Sequence, residues 1–326
     1  MKPPSKTGSR PASRQRGAPT APRAAPRTRL LLDGLAHGGD AVGRDAGRVW
    51  FVPYGAPGEV VVAAPAEEKP SFVRGRILEV VTPSADRTEP RCVHFGVCGG
   101  CQWQHLSYDA QLREKEAMVA AALRTVTPIA IPAIIASPEA YGYRVRAELH
   151  VVDKGDVRGC GYRRARSHDI VEPEMCPITE PRLEALSLAL VRLVRAVPGA
   201  ALGRYELHLG DEGASLCAHV ASGDEQPAVR WLQRVLEDLP NLVACVVRGA
   251  SHVQFVLKEG GITRDGITYS AGVFGQGHHV LSARLRDQVI EFAAPRKASV
   301  LELFAGAGLF SLPLGKAARR LVTAEE

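Results

Sequence analysis

"RCVHFGVCGGCQWQH", residues 91–105, sets three cysteines within ten residues: Cys92, Cys98 and Cys101. The spacing is C-x5-C-x2-C, with Gly99 and Gly100 between the last two. A C-x2-C pair lets two thiolates aim at one centre, and glycines let the chain turn there without a Cβ clash. A disulfide framework fits poorly, because the cysteine total is odd and no secretory leader precedes it. A thioredoxin-like pair needs C-x2-C at a helix start and has no use for a third thiol. A metal or cluster site reads best, and it requires a fourth ligand. Cys176, in the loop-like "EMCPI" with a proline after it, is the candidate. Zinc ribbons repeat two similar C-x2-C knuckles. One remote cysteine before a proline is closer to a [4Fe–4S] arrangement, with zinc as the alternative that spacing leaves open. Cys217 and Cys245 lie in apolar strands and read as core, and Cys160 sits beside glycines in a hairpin.

Outward from this cluster, the N-terminal side divides in two. Residues 1–29 hold eight Lys or Arg and no Asp or Glu, and are rich in Pro, Ala and Ser. With so little to bury, this stretch reads as a disordered basic tail. It is either a cationic arm for nucleic acid or a solvated segment with no specific role. The whole chain of 326 residues carries +6, so the rest is close to neutral. From residue 30 to 90 the texture is short strands and turns, with a hairpin closing at Asp45-Ala46-Gly47. Four or five short strands in that length suit a small β-barrel. Arg44, Arg48, Arg74 and Arg76 could contact phosphates or could simply keep the barrel soluble. No apolar run is long enough to span a membrane, and reduced thiols suit the cytoplasm.

On the C-terminal side, "YDAQLREKEAMVAAALRTV" has helical spacing through Leu112, Val119 and Leu123. Residues 141–180 read as a hairpin turning at Lys154-Gly155-Asp156, and residues 181–258 alternate helices and strands. Together, residues 91–265 form the cysteine segment plus an α+β central domain. From 266 to 326 the texture changes to α/β. "VLELFAGAGLFSL", residues 300–312, is a buried-strand run, then G-x-G at Gly306 and Gly308, then a helix. "RRLVTAEE" is the next strand, with Glu325 at its carboxyl end. Such a turn lets a nucleotide cofactor approach the backbone, and a carboxylate there accepts ribose hydroxyls. With no third glycine for a pyrophosphate, S-adenosylmethionine (SAM) fits better than NAD. The plainer reading is a tight βα turn that binds nothing.

These pieces together resemble the iron–sulfur branch of the RNA (uracil-5-)methyltransferases, the branch that acts on 23S ribosomal RNA. The resemblance covers residues 30–326. It rests on "VWFVPYGAPGEVV", on "PRCVHFGVCGGCQWQHLSYDAQLREK", and on "YRVRAELHV" with "GYRRARSHDIVEPEMCPI". It implies a multidomain β and α/β protein. An OB-like TRAM barrel leads, a central α+β domain with an Fe–S segment follows, and a Rossmann-like SAM-dependent methyltransferase domain begins at 266. By resemblance, Cys92, Cys98, Cys101 and Cys176 match the ligands of a [4Fe–4S] cluster. Phe304, Gly306, Gly308 and Glu325 match the SAM turn and ribose carboxylate. Gln276, in "AGVFGQGHH", matches a glutamine that touches the cofactor. The implied partner is RNA, ribosomal rather than transfer RNA, and no membrane.

Three residues depart from the family pattern. His278 stands for an Asn, Leu309 for a polar residue, and Ala305 for a frequent Cys. A lost polar contact beside the cofactor weakens SAM binding by about 1–3 kcal/mol where a buried partner is left unpaired. The family's nucleophilic cysteine and general base lie beyond the second strand of the SAM domain, so no catalytic residue is assigned. The expectation is a truncated product or fragment. In the full reaction a thiolate adds to uracil C6, C5 takes the methyl group from SAM, and a base removes the C5 proton. The target base must be unpaired or flipped out. A non-catalytic RNA-binding protein is the rival reading. A radical-SAM methylthiotransferase is a weaker one, since its cluster spacing is C-x3-C-x2-C and its barrel is usually C-terminal.

Overall fold

The structure is a computed structural model and describes residues 26–124, 126, 130–155, 157–249 and 254–325. The bulk of the basic tail, residues 1–25, lies outside the described residues, as does Asp156 of the expected hairpin turn.

Five strands close the N-terminal barrel: β1 (Thr28–Leu35), β2 (Ala41–Asp45), β3 (Arg48–Val52), β4 (Val60–Glu68) and β5 (Phe72–Thr82), in the order β1-β2-β3-β5-β4. Alternation sets the register of β1. Leu30 and Leu32 are buried, while Leu31 between them is 60% exposed. Trp50, Val52, Val61, Ala63 and Val73 complete the barrel core. The β2–β3 turn is at Ala46 and Gly47, both with positive φ, which suits a two-residue hairpin. Gly75 gives room for Trp50, because a Cβ there would meet the indole at 3.0 Å.

The barrel carries a buried charge. The carboxylate of Glu59 is fully buried and accepts hydrogen bonds from Ala56 N (2.9 Å), Ser84 N (3.3 Å) and both Nε and Nη2 of Arg87. Burial alone would raise its pKa, but the bonds from Arg87 and the two backbone amides hold it below the ordinary value. Arg87 lies past the barrel, on the way to the cysteine segment. That segment is pinned back on the barrel by Trp103 Nε1 to Gly39 O (3.0 Å) and by His105 Nε2 with Gly55 O (3.0 Å).

Helix α1 (Tyr108–Leu123) follows, capped by Ser107, whose Oγ accepts from Ala110 N. Only Ala110 on it is buried, and Val119 is 47% exposed. The helical spacing of its apolar residues is therefore real, but the helix lies on the surface with its apolar positions largely uncovered.

The central domain is a seven-stranded sheet of order β12-β11-β10-β9-β6-β7-β8. Its strands are β6 (Arg146–Lys154), β7 (Val157–Arg163), β8 (Ile170–Val171), β9 (Gly203–Leu209), β10 (Ala214–Val220), β11 (Leu242–Arg248) and β12 (Gln254–Lys258). Helices α2 (Pro181–Ala196) and α3 (Glu225–Val235) cover one face, burying Leu183, Leu186, Leu190, Trp231 and Leu232 against Leu149, Tyr205, Leu207 and Leu216. Burial of this kind contributes about 1.5–3 kcal/mol per large side chain. The other face is polar and carries Arg146, Glu148, His150, Arg204, Glu206 and His219 in linked ion pairs.

A hairpin unsuspected from sequence comes next, β13 (Gly261–Arg264) and β14 (Ile267–Ser270), turning at Asp265 and Gly266. The 265/266 division drawn from composition falls inside this turn. Helix α4 (His279–Ala293) leads to β15 (Ser299–Leu303), α5 (Ser311–Ala317) and β16 (Arg320–Ala324), with β15 and β16 paired in parallel.

Candidate functional site

Cys92, Cys98, Cys101 and Cys176 are all half-buried free thiols, and all line one cavity of about 610 Å³ between barrel, cysteine segment and sheet. Successive tight turns carry the first three: Phe95 N donates to Cys92 O (3.0 Å) and Cys98 N to His94 O (2.9 Å). Gly100 N points at Cys98 Sγ at 3.5 Å, an amide–sulfur contact. The loop lies flat against the β7–β8 connection, with Gly99 N bonded to Arg163 O (2.9 Å) and Ala165 N to Val97 O (3.1 Å). A Cβ on Gly99 would stand 3.2 Å from Ala165 Cα and from Arg163 O, so glycine gives the closest seating of the two loops. Cys176 arrives from the strand-to-α2 loop, its N–H held by Glu184 Oε1 (2.6 Å), while Glu174 N donates to His94 Nε2 (3.0 Å).

Burial pushes the Cys98, Cys101 and Cys176 thiols up, and the other cysteines of the set push them further. Amide and side-chain donors (Gly100 N to Cys98, Gln104 to Cys101) work the other way. Among the described residues, no three His, Cys, Asp or Glu side chains converge tightly enough for a single metal ion. Burial pushes the remaining cysteines, Cys160, Cys217 and Cys245, up to about 12, about 11 and about 12. These are inert core thiols.

The second half of the site is the glycine turn after β15. Phe304 has φ 57° and is 81% exposed, a non-glycine residue in a region that costs energy. Gly306 (φ 56°) and Gly308 (φ 89°) follow, closed by Gly308 N to Ala305 O (2.9 Å). Glu325, at the end of β16, accepts from Gly306 N at 2.7 Å. The turn and the carboxylate therefore meet at the carboxyl ends of two parallel strands, where α/β sheets bind ligands. Gln276 is exposed in the loop before α4. That loop and the turn share a small core: Val273, Ala307 and Leu309 pack against Ile262, Ile267 and Tyr269. Leu309 thus packs on the β13–β14 hairpin in place of a polar contact. His278 caps α4 through Nδ1, which accepts from Leu281 N (3.3 Å), and stacks on Tyr143 at 4.4 Å and 11°.

Three barrel arginines have carboxylate partners: Arg44 with Asp33, Arg48 with Glu68 and Arg74 with Asp40. Sequence reasoning gave no hint of Asp40, which also takes Arg166 from the β7–β8 loop at 2.8 Å and so ties barrel to sheet. No spacing rule reaches a contact between residues so far apart in the chain.

Residues 27–78 match the TRAM domain family. The chain is 31% identical to the 23S rRNA (uracil(1939)-C(5))-methyltransferase RlmD of Pseudomonas entomophila, over 91% of this chain and 68% of that protein. It is 32% identical to the RlmD of Vibrio parahaemolyticus, over 91% of this chain and 69% of that one. Among solved structures, Pyrococcus abyssi tRNA (uracil-54, C5)-methyltransferase, in complex with S-adenosyl-L-homocysteine, superposes with a TM-score of 0.67. It covers 91% of this chain and 73% of that chain at 18% identity, so the likeness is one of fold. A closed TRAM barrel ahead of a glycine-turn α/β unit defines an RNA methyltransferase directed at uracil C5. Within that class, the chain belongs to the family of 23S rRNA uracil-C5 methyltransferases represented by RlmD.

Proposed function

We propose that this protein acts in SAM-dependent methylation of uracil C5 in RNA, with 23S ribosomal RNA rather than transfer RNA as substrate, in the cytoplasm. The observation that carries the reading is the match to RlmD proteins along most of the chain. Among the described residues, no helix is long and apolar enough to cross a membrane. SAM supplies the methyl group when bound. Glu325 would accept the ribose hydroxyls, Gly306 and Gly308 would let the cofactor lie against the backbone, and Phe304 and Gln276 would flank it. The left-handed backbone at Phe304 and the glycines supports this assignment, since strain of that kind gathers at ligand sites. These residues bind and orient, and none is assigned as nucleophile or base.

Cys92, Cys98, Cys101 and Cys176 would hold a [4Fe–4S] cluster. Support comes from four thiols on one cavity and the Gly100 amide aimed at Cys98 Sγ. The role fitted to its place is structural: it would join the barrel-bound cysteine loop to the loop that enters α2. Replacing Cys98 with Ser should then cost folding and RNA affinity together. Loss of methyl transfer with both intact would end the structural role.

Labelled SAM in equilibrium dialysis with anaerobically prepared protein tests the cofactor site. Binding is expected, and Glu325→Gln should weaken it at least tenfold; equal binding by both would remove Glu325 from the site. Competition between 23S rRNA and tRNA transcripts for binding to the chain then tests the substrate, since the family's nucleophile and base are not assigned to any residue here. The packing of Leu309 on the hairpin favours one rival, an RNA-binding protein derived from this family that no longer uses SAM. RNA binding without SAM binding would select it.

A further inference from the structure

A second cavity, of about 680 Å³, shares Cys101 with the first and lies among the barrel loop at His37–Gly39, the cysteine segment, α1 and the turn at 140–143. Besides the Trp103–Gly39 contact that pins the cysteine segment to the barrel, its lining holds side chains that this joint does not use. Three tyrosines face it, Tyr108, Tyr141 and Tyr143, with Arg91 and Lys115 as cations and Glu89 as the acid. The Tyr108 hydroxyl is occupied, accepting from Ser137 N at 2.7 Å, and Tyr143 is stacked on His278. Tyr141 is different. The guanidinium of Arg91 lies over its ring, 4.3 Å from the centroid. Arg91 is exposed and Tyr141 half-buried, so the stack has a flat, cationic, solvent-facing upper surface.

A guanidinium held over a tyrosine ring offers its outer plane to one more flat partner, and stacking on that plane does not depend on which base is presented. Bases of single-stranded RNA stack on such planes, whereas those of a duplex are stacked on each other and unavailable. Lys115, exposed on α1, stands where a neighbouring phosphate would pass. Through Tyr143 and His278, the cavity adjoins the segment that bears Gln276, two residues earlier. We propose that this cavity receives one unpaired base of the RNA, stacked on Arg91 above Tyr141, with its phosphate on Lys115. The proposal rests on the RNA reading above, and adds a docking site for a nucleotide other than the methylated one.

The test is fluorescence anisotropy of the anaerobically prepared chain with a short unstructured oligoribonucleotide, and with the same strand annealed to its complement. Arg91→Lys keeps the charge and removes the plane. It is expected to weaken the single strand about tenfold, to leave the salt slope unchanged, and to leave duplex affinity as it was. Tyr141→Leu should repeat that loss and Tyr141→Phe should not. Lys115→Gln should instead lower the slope of log K against log salt by about 0.7. Native-like single-strand binding by Arg91→Lys overturns the site, as does an equal loss on the duplex. If the unmutated chain binds neither RNA, the RNA reading itself falls, a different result from the first two. Arg91 is an exposed side chain, so its variant decides the matter even where Tyr141→Leu does not fold.

Discussion

Glu206 and His208 are adjacent same-face positions of β9, both almost fully buried, and they show how the polar face of the sheet responds to acid. Burial alone would push Glu206 up. Its ion pair with Arg146 at 2.9 Å and the charge of Arg204 overcome this and hold it down to about 2. His219 Nε2, which faces the same carboxylate at 3.8 Å, works in the same direction. Burial, with Arg146 and Arg264 beside it, lowers His208 to about 4. In both cases the unfolded chain binds protons at a pH where the folded one does not, so stability is lost as the pH is lowered. For His208 the window runs from 6.5 down to about 4, and for Glu206 from 4.5 down to about 2. Urea titrations across pH 7 to 4 should therefore show a loss of at most about 3 kcal/mol from His208. His208→Gln should flatten the part above pH 4.5. An unchanged pH profile in that variant would show that His208 is not the group responsible.

At the scale of elements, Gly99 is the sharpest test of how the cysteine loop is seated. Gly99→Ala puts a Cβ 3.2 Å from Ala165 Cα and from the Arg163 carbonyl, both backbone, so the two loops must shift by a few tenths of an ångström to take it. On the proposed [4Fe–4S] reading, the expected outcome is a chain with native circular dichroism and reduced iron and sulfide content on anaerobic preparation. Full metal content would show that the loops part without cost. The elements differ in how plainly the sequence announces them. β1 and the β2–β3 hairpin are legible, since alternation and an Ala-Gly turn act locally. So are α2, with Pro181 at its first turn, and α3 with its buried Trp231. The β13–β14 hairpin is not: each strand has four residues, and Gly261 and Gly266 read as loop. Nor is the exposure of α1, because periodicity records which side chains share a face and says nothing of what covers it. The cysteine spacing is legible, but the cavity between Cys98 and Cys176 exists only because β7, β8 and the approach to α2 fold against the loop.

For the whole molecule, the question is what keeps the barrel at a fixed place on the sheet. Asp40 reaches across to Arg166, and Trp103 and His105 hold backbone carbonyls of the barrel. The Asp40–Arg166 pair is exposed on the arginine side, and such pairs are worth at most about 1 kcal/mol. Asp40→Asn should therefore leave the unfolding midpoint nearly unchanged, yet speed proteolysis in the β7–β8 loop, as limited digestion would reveal. Trp103→Phe removes a hydrogen bond to Gly39 and should cost about 1 kcal/mol, measurable by chemical denaturation.

The Glu59–Arg87 pair has a consequence for how this barrel can be moved between proteins. The recognisable TRAM sequence ends at residue 78, and the last strand ends at Thr82, yet the cation that neutralises the barrel's buried carboxylate comes later. A graft or excised fragment cut at the end of β5 would enclose an orphan anion, at a cost of about 3–5 kcal/mol. A cut placed after Leu106 keeps its counter-charge. Recombination that respects the strand boundaries alone would thus deliver a module unable to stand by itself, and the heritable unit is longer than its sheet.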